Sequence, residues 1–373
     1  MKKIYLILGL LFLLGCGTAP DSTPSPTTET SEKELEFQPL TQHVIENAEE
    51  RMAICNDGTS ATYYMSEGAG EGKDIWLVYL QGGGYCENEE DCMTRAKESP
   101  KLVSSERRVE QVNVGGIFMR DPELNPDFHN ITQVYVPYCS SDLWAGDTEH
   151  EVNGETWQFR GTHIVKAVIE DLNMEDTELL LFAGSSIGAA GMVNNADRVA
   201  AMIPDSVEMK AIVDGLWWPM VEPFDQDPYK TNAADEANVE YLNVQMDESC
   251  LAENGDDPDY YCAIPTEVAD YLSMPLFVYV DRRDPVYLER LGITNIRATG
   301  ESPQAAYMED FIEKSLEMIE TADAIFSTNI VNHTSLHITD KFFHTEVDGY
   351  TLAEVLANWV FEKDGPIKVI ADE

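Results

Sequence analysis

Short runs of bulky apolar residues punctuate the chain: Ile75–Leu80, Gln133–Val136, Leu179–Ala183, Ala211–Asp214, Leu276–Val280 and Ala324–Val331. They are too short for buried helices and too continuous for half-exposed strands, so they read as strands covered on both faces. Between them lie stretches of helical period. In "HIVKAVIEDL", Ile164, Val165, Val168, Ile169 and Leu172 share one face. "SPQAAYMEDFIEKSLEMIE" and "YTLAEVLANWVFE" behave in the same way. Strands alternating with amphipathic helices predict an α/β fold with a mainly parallel central sheet flanked by helices. The pattern carries no internal repeat and no domain boundary inside residues 40–373.

The chain begins differently. Lys2 and Lys3 precede an apolar run, Ile4–Leu14, that is too short to span a bilayer comfortably and reads as an export signal. Leu13-Leu14-Gly15-Cys16 resembles a bacterial lipobox. That resemblance implies a signal peptide over residues 1–15, cleavage before Cys16, and a lipid on Cys16 holding the chain to a membrane. The expected location is therefore the bacterial cell envelope, with Gly17 favouring the outer membrane or cell surface. Residues 16–40 are rich in Pro, Ser, Thr and Glu, and read as an extended tether to a folded domain over 41–373.

Composition narrows the partners. The 373 residues carry 68 acidic and 24 basic side chains, a formal charge of -44. Nucleic acid is excluded, since phosphate binding needs basic surface. So acidic a surface suits solubility in salt. Beyond Cys16, the cysteines are Cys55, Cys86, Cys92, Cys139, Cys250 and Cys262. An even set in an exported chain predicts disulfides. Cys86–Cys92 and Cys250–Cys262 would close short local loops, leaving Cys55–Cys139. No Cys or His cluster has zinc spacing, so no metal is expected. The acidic segment "ENGDDPDYY" reads as an exposed excursion.

Candidate chemistry sits at the ends of the predicted strands. Gly184-Ser185-Ser186-Ile187-Gly188 follows one of them and opens a helix rich in Ala and Gly. A strand-to-helix turn of this Gly-x-Ser-x-Gly form projects its central serine above a sheet, and the next backbone N–H, from Ile187, faces an oxyanion. Ile75–Leu80 leads into "QGGGYC", where Gly83 and Gly84 can supply further oxyanion donors. A triad acid and base should follow in that order. Asp281 and Asp284 follow one late strand; His333 and His337 follow the last, with His344 beyond. Trp144, Trp217 and Trp218 are candidates for either a pocket wall or the core.

Taken together, "CNDGTSATYYMSEG", "WLVYLQGGGYCENEEDC", "VYVPYCSSDLWAGD", "FRGTHIVKAVIEDL" and "GSSIGAAGMVNNADRV" resemble, in order, blocks of the pectin acetylesterase/Notum family of carboxylesterases. The likeness is close over residues 50–200 and looser beyond. It implies an α/β-hydrolase-like, disulfide-braced fold and an enzyme needing no cofactor. It assigns Ser186 as nucleophile, Gly83, Gly84 and Ile187 as oxyanion donors, Asp284 as acid through its spacing to Leu288, and His333 as base ahead of His337. The family often has Trp where this chain has Gly84, and Ser-Ala-Gly-Gly where it has Ser186-Ile187-Gly188-Ala189; both departures touch the acyl pocket. The implied reaction is hydrolysis of acyl esters, acetyl first, on a polysaccharide, through an acyl-enzyme. Longer-chain or lipid acyl esters form the alternative. A non-catalytic glycan-binding lipoprotein on the same scaffold is the alternative from another class.

Overall fold

The computed structural model describes residues 38–227, 232–254 and 260–372. The expected signal peptide, Cys16 and all but the end of the tether lie outside these residues, as do positions 255–259 of the acidic segment. The described residues belong to one unit, Phe37–Glu373.

The strands, in chain order, are β1 (Leu40–Val44), β2 (Thr62–Ser66), β3 (Ile75–Leu80), β4 (Gln111–Val112), β5 (Thr132–Val136), β6 (Thr148–Val152) and β7 (Glu155–Phe159). They continue as β8 (Leu179–Ser185), β9 (Glu208–Asp214), β10 (Leu276–Asp281), β11 (Ala324–Thr328), β12 (Glu346–Val347), β13 (Tyr350–Thr351) and β14 (Lys368–Ile370). A ten-stranded sheet has the order β14-β11-β10-β9-β8-β3-β5-β2-β1-β4. From β14 to β5 every neighbouring pair is parallel, whereas β2, β1 and β4 add on antiparallel.

Alternation inside each apolar run builds two cores. On β8, Leu180 and Phe182 join one cluster with Ile164, Val168 and Val193, under the helices Gly161–Asp171 and Ile187–Ala200. Leu179, Leu181 and Ala183 face the other way, toward Leu356 and Trp359 of the helix Leu352–Val360. Each fully buried Leu or Phe contributes about 1.5–3 kcal/mol. That double burial is what made the parallel strands readable. Their observed bounds agree with the sequence runs to within two residues, except that β9 begins at Glu208 rather than Ala211 and β11 stops at Thr328 rather than Val331. The strands β1, β2 and β4 and the hairpin of β6 and β7 carried no such signal. In β1, β4 and the hairpin, polar positions mix with apolar ones because these strands are largely exposed; β2 lies inside the sheet, but its Thr62 and Ser66 break the apolar run.

The disulfides are Cys55–Cys139, Cys86–Cys92 and Cys250–Cys262, the pairing the spacing suggested, with Cα–Cα distances of 4.9, 5.1 and 5.7 Å. Cys86–Cys92 ties the loop after β3 to the helix Glu89–Glu98. The sequence separations are 84, 6 and 12 residues, and a longer closed loop constrains the unfolded chain more. Replacing both Cys55 and Cys139 with Ala should therefore lower the unfolding free energy by about 2–5 kcal/mol, more than the same change at Cys86 and Cys92. Guanidinium titration of the two double variants checks the order, and the reverse ranking would contradict it.

Candidate active site

β8 ends at Ser185, and the helix Ile187–Ala200 starts two residues later, so the direction must reverse at Ser186. Its backbone sits at φ 54°, ψ -129°, a region that costs a non-glycine residue on the order of 1–3 kcal/mol. The flanking glycines explain how the turn closes. A Cβ on Gly184 would fall 2.1 Å from the carbonyl of Gly188, and one on Gly188 would fall 2.1 Å from that of Leu80. Ser186 N–H donates to the Asp214 carbonyl at 2.7 Å, tying the turn to β9.

Ser186 opens onto a cavity of about 380 Å³. Tyr85, Leu143, Leu216, Trp218, Val239 and Ile264 give it a mainly apolar wall, and Gly84, Ile187 and His333 also line it. Among the described residues, the backbone N–H groups of Gly83, Gly84 and Ile187 donate to no protein acceptor. Gly84, at φ +69°, lets the loop bend beside the serine. Unspent donors beside a serine are what an oxyanion requires.

His333 follows β11. Its Nδ1 lies 2.6 Å from Asp284 Oδ2. Asp284 is fully buried and caps the helix Pro285–Arg290, accepting from Val286 N–H at 2.8 Å and Tyr287 N–H at 3.2 Å. With Nδ1–H donated to Asp284, His333 presents an unprotonated Nε2. Burial pulls this imidazole down, but the Asp284 bond and charge, reinforced by Asp214 and Asp281, raise it above its ordinary value. The Trp218 indole stacks against the ring, with centroids 6.1 Å apart and planes 16° from parallel. No hydrogen bond joins Ser186 Oγ to His333 among the described residues; the two share the cavity wall.

The other sequence candidates lie elsewhere. His337 Nδ1 bonds the Tyr79 hydroxyl at 2.8 Å, beneath the site. Asp281 is occupied by Tyr279, Asn332 and Thr328. Of the tryptophans, Trp218 lines the cavity, while Trp144 and Trp217 are core. Sequence reasoning had no sign of Arg290, which reaches the cavity while paired with Glu87 at 3.1 Å. It also missed Asp214, whose position at the end of an apolar strand beside a glycine was the available hint.

The profile of the pectinacetylesterase family matches residues 33–372. The chain belongs to the pectinacetylesterase family. It is 27% identical over 339 residues to the palmitoleoyl-protein carboxylesterase notum1a of Danio rerio, covering 85% of this chain and 64% of that protein. It is 28% identical over 326 residues to the human palmitoleoyl-protein carboxylesterase NOTUM, covering 82% and 63%. The chain thus spans under two thirds of the length of these relatives. A crystal structure of the Wnt deacylase Notum from Drosophila matches with a TM-score of 0.80 at 24% identity, over 90% of this chain and 97% of that one. The α/β-hydrolase-like fold is shared. These relatives also correct one expectation. They are animal carboxylesterases rather than bacterial lipoproteins, which overturns the placement in a bacterial cell envelope.

The geometry separates the adjacent serines. Ser186→Ala should abolish labelling by a fluorophosphonate. Ser185→Ala should keep labelling but lose about 1–3 kcal/mol of stability, because Ser185 is buried between Tyr79 and Asp214. Labelling retained in Ser186→Ala would remove that serine from the site.

Proposed function

We propose that this protein is a serine carboxylesterase that removes acyl chains longer than acetyl, with Ser186, His333 and Asp284 as its triad. The observation that carries the chain length is the cavity of about 380 Å³ with a mainly apolar wall beside Ser186. An acetyl group would leave most of that space unfilled, whereas each further methylene buried there contributes up to about 0.8 kcal/mol. The names of the relatives, which are palmitoleoyl-protein carboxylesterases, point the same way. The acetylated-polysaccharide reading rests on the family name alone and takes second place. The apolar leader Ile4–Leu14 and the disulfides support export.

In this reading His333 Nε2 takes the hydroxyl proton as Ser186 Oγ attacks the ester carbon. The N–H groups of Gly83, Gly84 and Ile187 hold the oxyanion, at roughly 3 kcal/mol per donor. Collapse passes the proton from His333 to the departing alcohol and leaves the acyl group on Ser186. Water, deprotonated by the same Nε2, then releases the acid. Asp284 holds the ring in the required tautomer and stabilises its charged form.

A series of aryl esters tests chain length: kcat/KM should rise by roughly 100-fold from acetyl to octanoyl, and a flat or falling series would overturn the proposal. The pH profile tests the base. A protonated Nε2 cannot accept a proton, so activity falls as pH drops through the His333 pKa. That limb should lie above 6.5, the ordinary imidazole value. Asp284→Asn should move it down and reduce kcat by roughly 10³–10⁴.

A further inference from the structure

Asp214 ends β9 with no accessible surface. Its Oδ1 accepts the Ser335 N–H at 2.8 Å; its Oδ2 accepts the Leu336 N–H at 2.9 Å and the Ser185 hydroxyl. Its carbonyl accepts the Ser186 N–H at 2.7 Å. One residue thus grips the turn that carries Ser186 and the loop that carries His333. The next residue completes the grip. Gly215 has φ +74°, and a Cβ there would fall 2.1 Å from the His333 carbonyl, so the His333 backbone rests directly on it.

The hydrogen bonds also fix the charge. Tyr79 donates to Ser185 Oγ at 2.6 Å, so His337 Nδ1–H is the donor in its 2.8 Å bond to Tyr79. Ser185 spends its own proton on Asp214. The chain His337–Tyr79–Ser185 therefore runs in one direction and ends on a carboxylate that also faces two backbone donors. A protonated Asp214 would turn an O–H against one of them. No Lys or Arg forms an ion pair with Asp214 among the described residues; its charge is favoured by the bonds from Ser185, Ser335 and Leu336 and by the charge of the His333 imidazolium. Burial raises its pKa to about 6, against the bonds from Ser185, Ser335 and Leu336.

We infer that Asp214 is a positioning residue that sets the Ser186–His333 geometry and, as a buried anion, favours the imidazolium formed during turnover. The inference rests on the triad proposed above. Asp214 touches no substrate; it acts through the two segments it holds. Other charges also bear on His333. Asp284 bonds it directly, Asp281 adds negative potential, and His337 lies close enough to feel its charge.

The test is Asp214→Asn, which keeps the shape, removes the charge and sets an NH₂ against a donor. With an octanoyl aryl ester, kcat should fall by roughly 10–100-fold while KM changes by less than about twofold. The acidic limb of the kcat/KM profile should move to lower pH by on the order of half a unit. Gly215→Ala serves as the second variant: it displaces His333 but leaves the charge, so kcat should fall with the limb in place. Wild-type kcat and an unmoved limb in folded Asp214→Asn would overturn the inference. If Asp214→Asn does not fold, wild-type kcat in Gly215→Ala overturns it instead. Ser186→Ala, run alongside, distinguishes the two claims, because turnover surviving that change would sink the triad itself.

Discussion

The backbone of Ser186 is held where a serine does not rest by choice, at φ 54°, ψ -129°. Everything chemical about the site depends on that turn staying closed. Three contacts close it. Gly184 and Gly188 let the turn pack against itself and against the end of β3, and the Ser186 N–H is fixed to the carbonyl of Asp214. The parallel register of β3, β8 and β9 brings those groups to one sheet edge, which is where open α/β sheets place their sites. The strain is small beside the many side chains buried on β8, each contributing about 1.5–3 kcal/mol. The sheet core therefore holds in place a turn that the local sequence alone would not keep.

Much of this was legible in the chain. The central parallel strands announced themselves because both faces are buried, whereas the three-residue edge strand β14 was too short to read. The glycines of the turn, and the candidate acid and base after late strands, followed from what the turn and the strand order require. Choosing Asp284 over Asp281 needed more than pattern. The structure supplies the physical distinction: Asp281 is bound to Tyr279, Asn332 and Thr328, whereas Asp284 caps a helix and keeps one oxygen for His333. The cavity was not legible. Its wall combines Tyr85, Leu143, Trp218, Val239 and Ile264, which share no period. The outer strands β1 and β4 were missed because they bury little, and β2 because polar residues at both its ends interrupt the run. The role of Asp214 was hidden because a lone aspartate ending a strand looks like a strand terminus.

Charge and cavity divide the problem of substrate choice. The formal charge of -44 disfavours a polyanionic partner at low ionic strength, and its reach shrinks to about 8 Å at physiological salt. It says nothing of the acyl group. That choice belongs to the apolar wall beside Ser186, where the described charged side chains are His333 and Arg290, the latter held by Glu87. An acyl chain can bury there without stranding a charge.

The central claim is that an acyl group is carried on Ser186 during turnover. It is tested most directly by quenching the enzyme in acid within its first turnovers of an octanoyl aryl ester, then mapping the peptides by mass. The account predicts a burst of about one aryl alcohol per enzyme and an octanoyl adduct confined to Ser186. A burst-free time course with no adduct, or an adduct on any other residue, would contradict it.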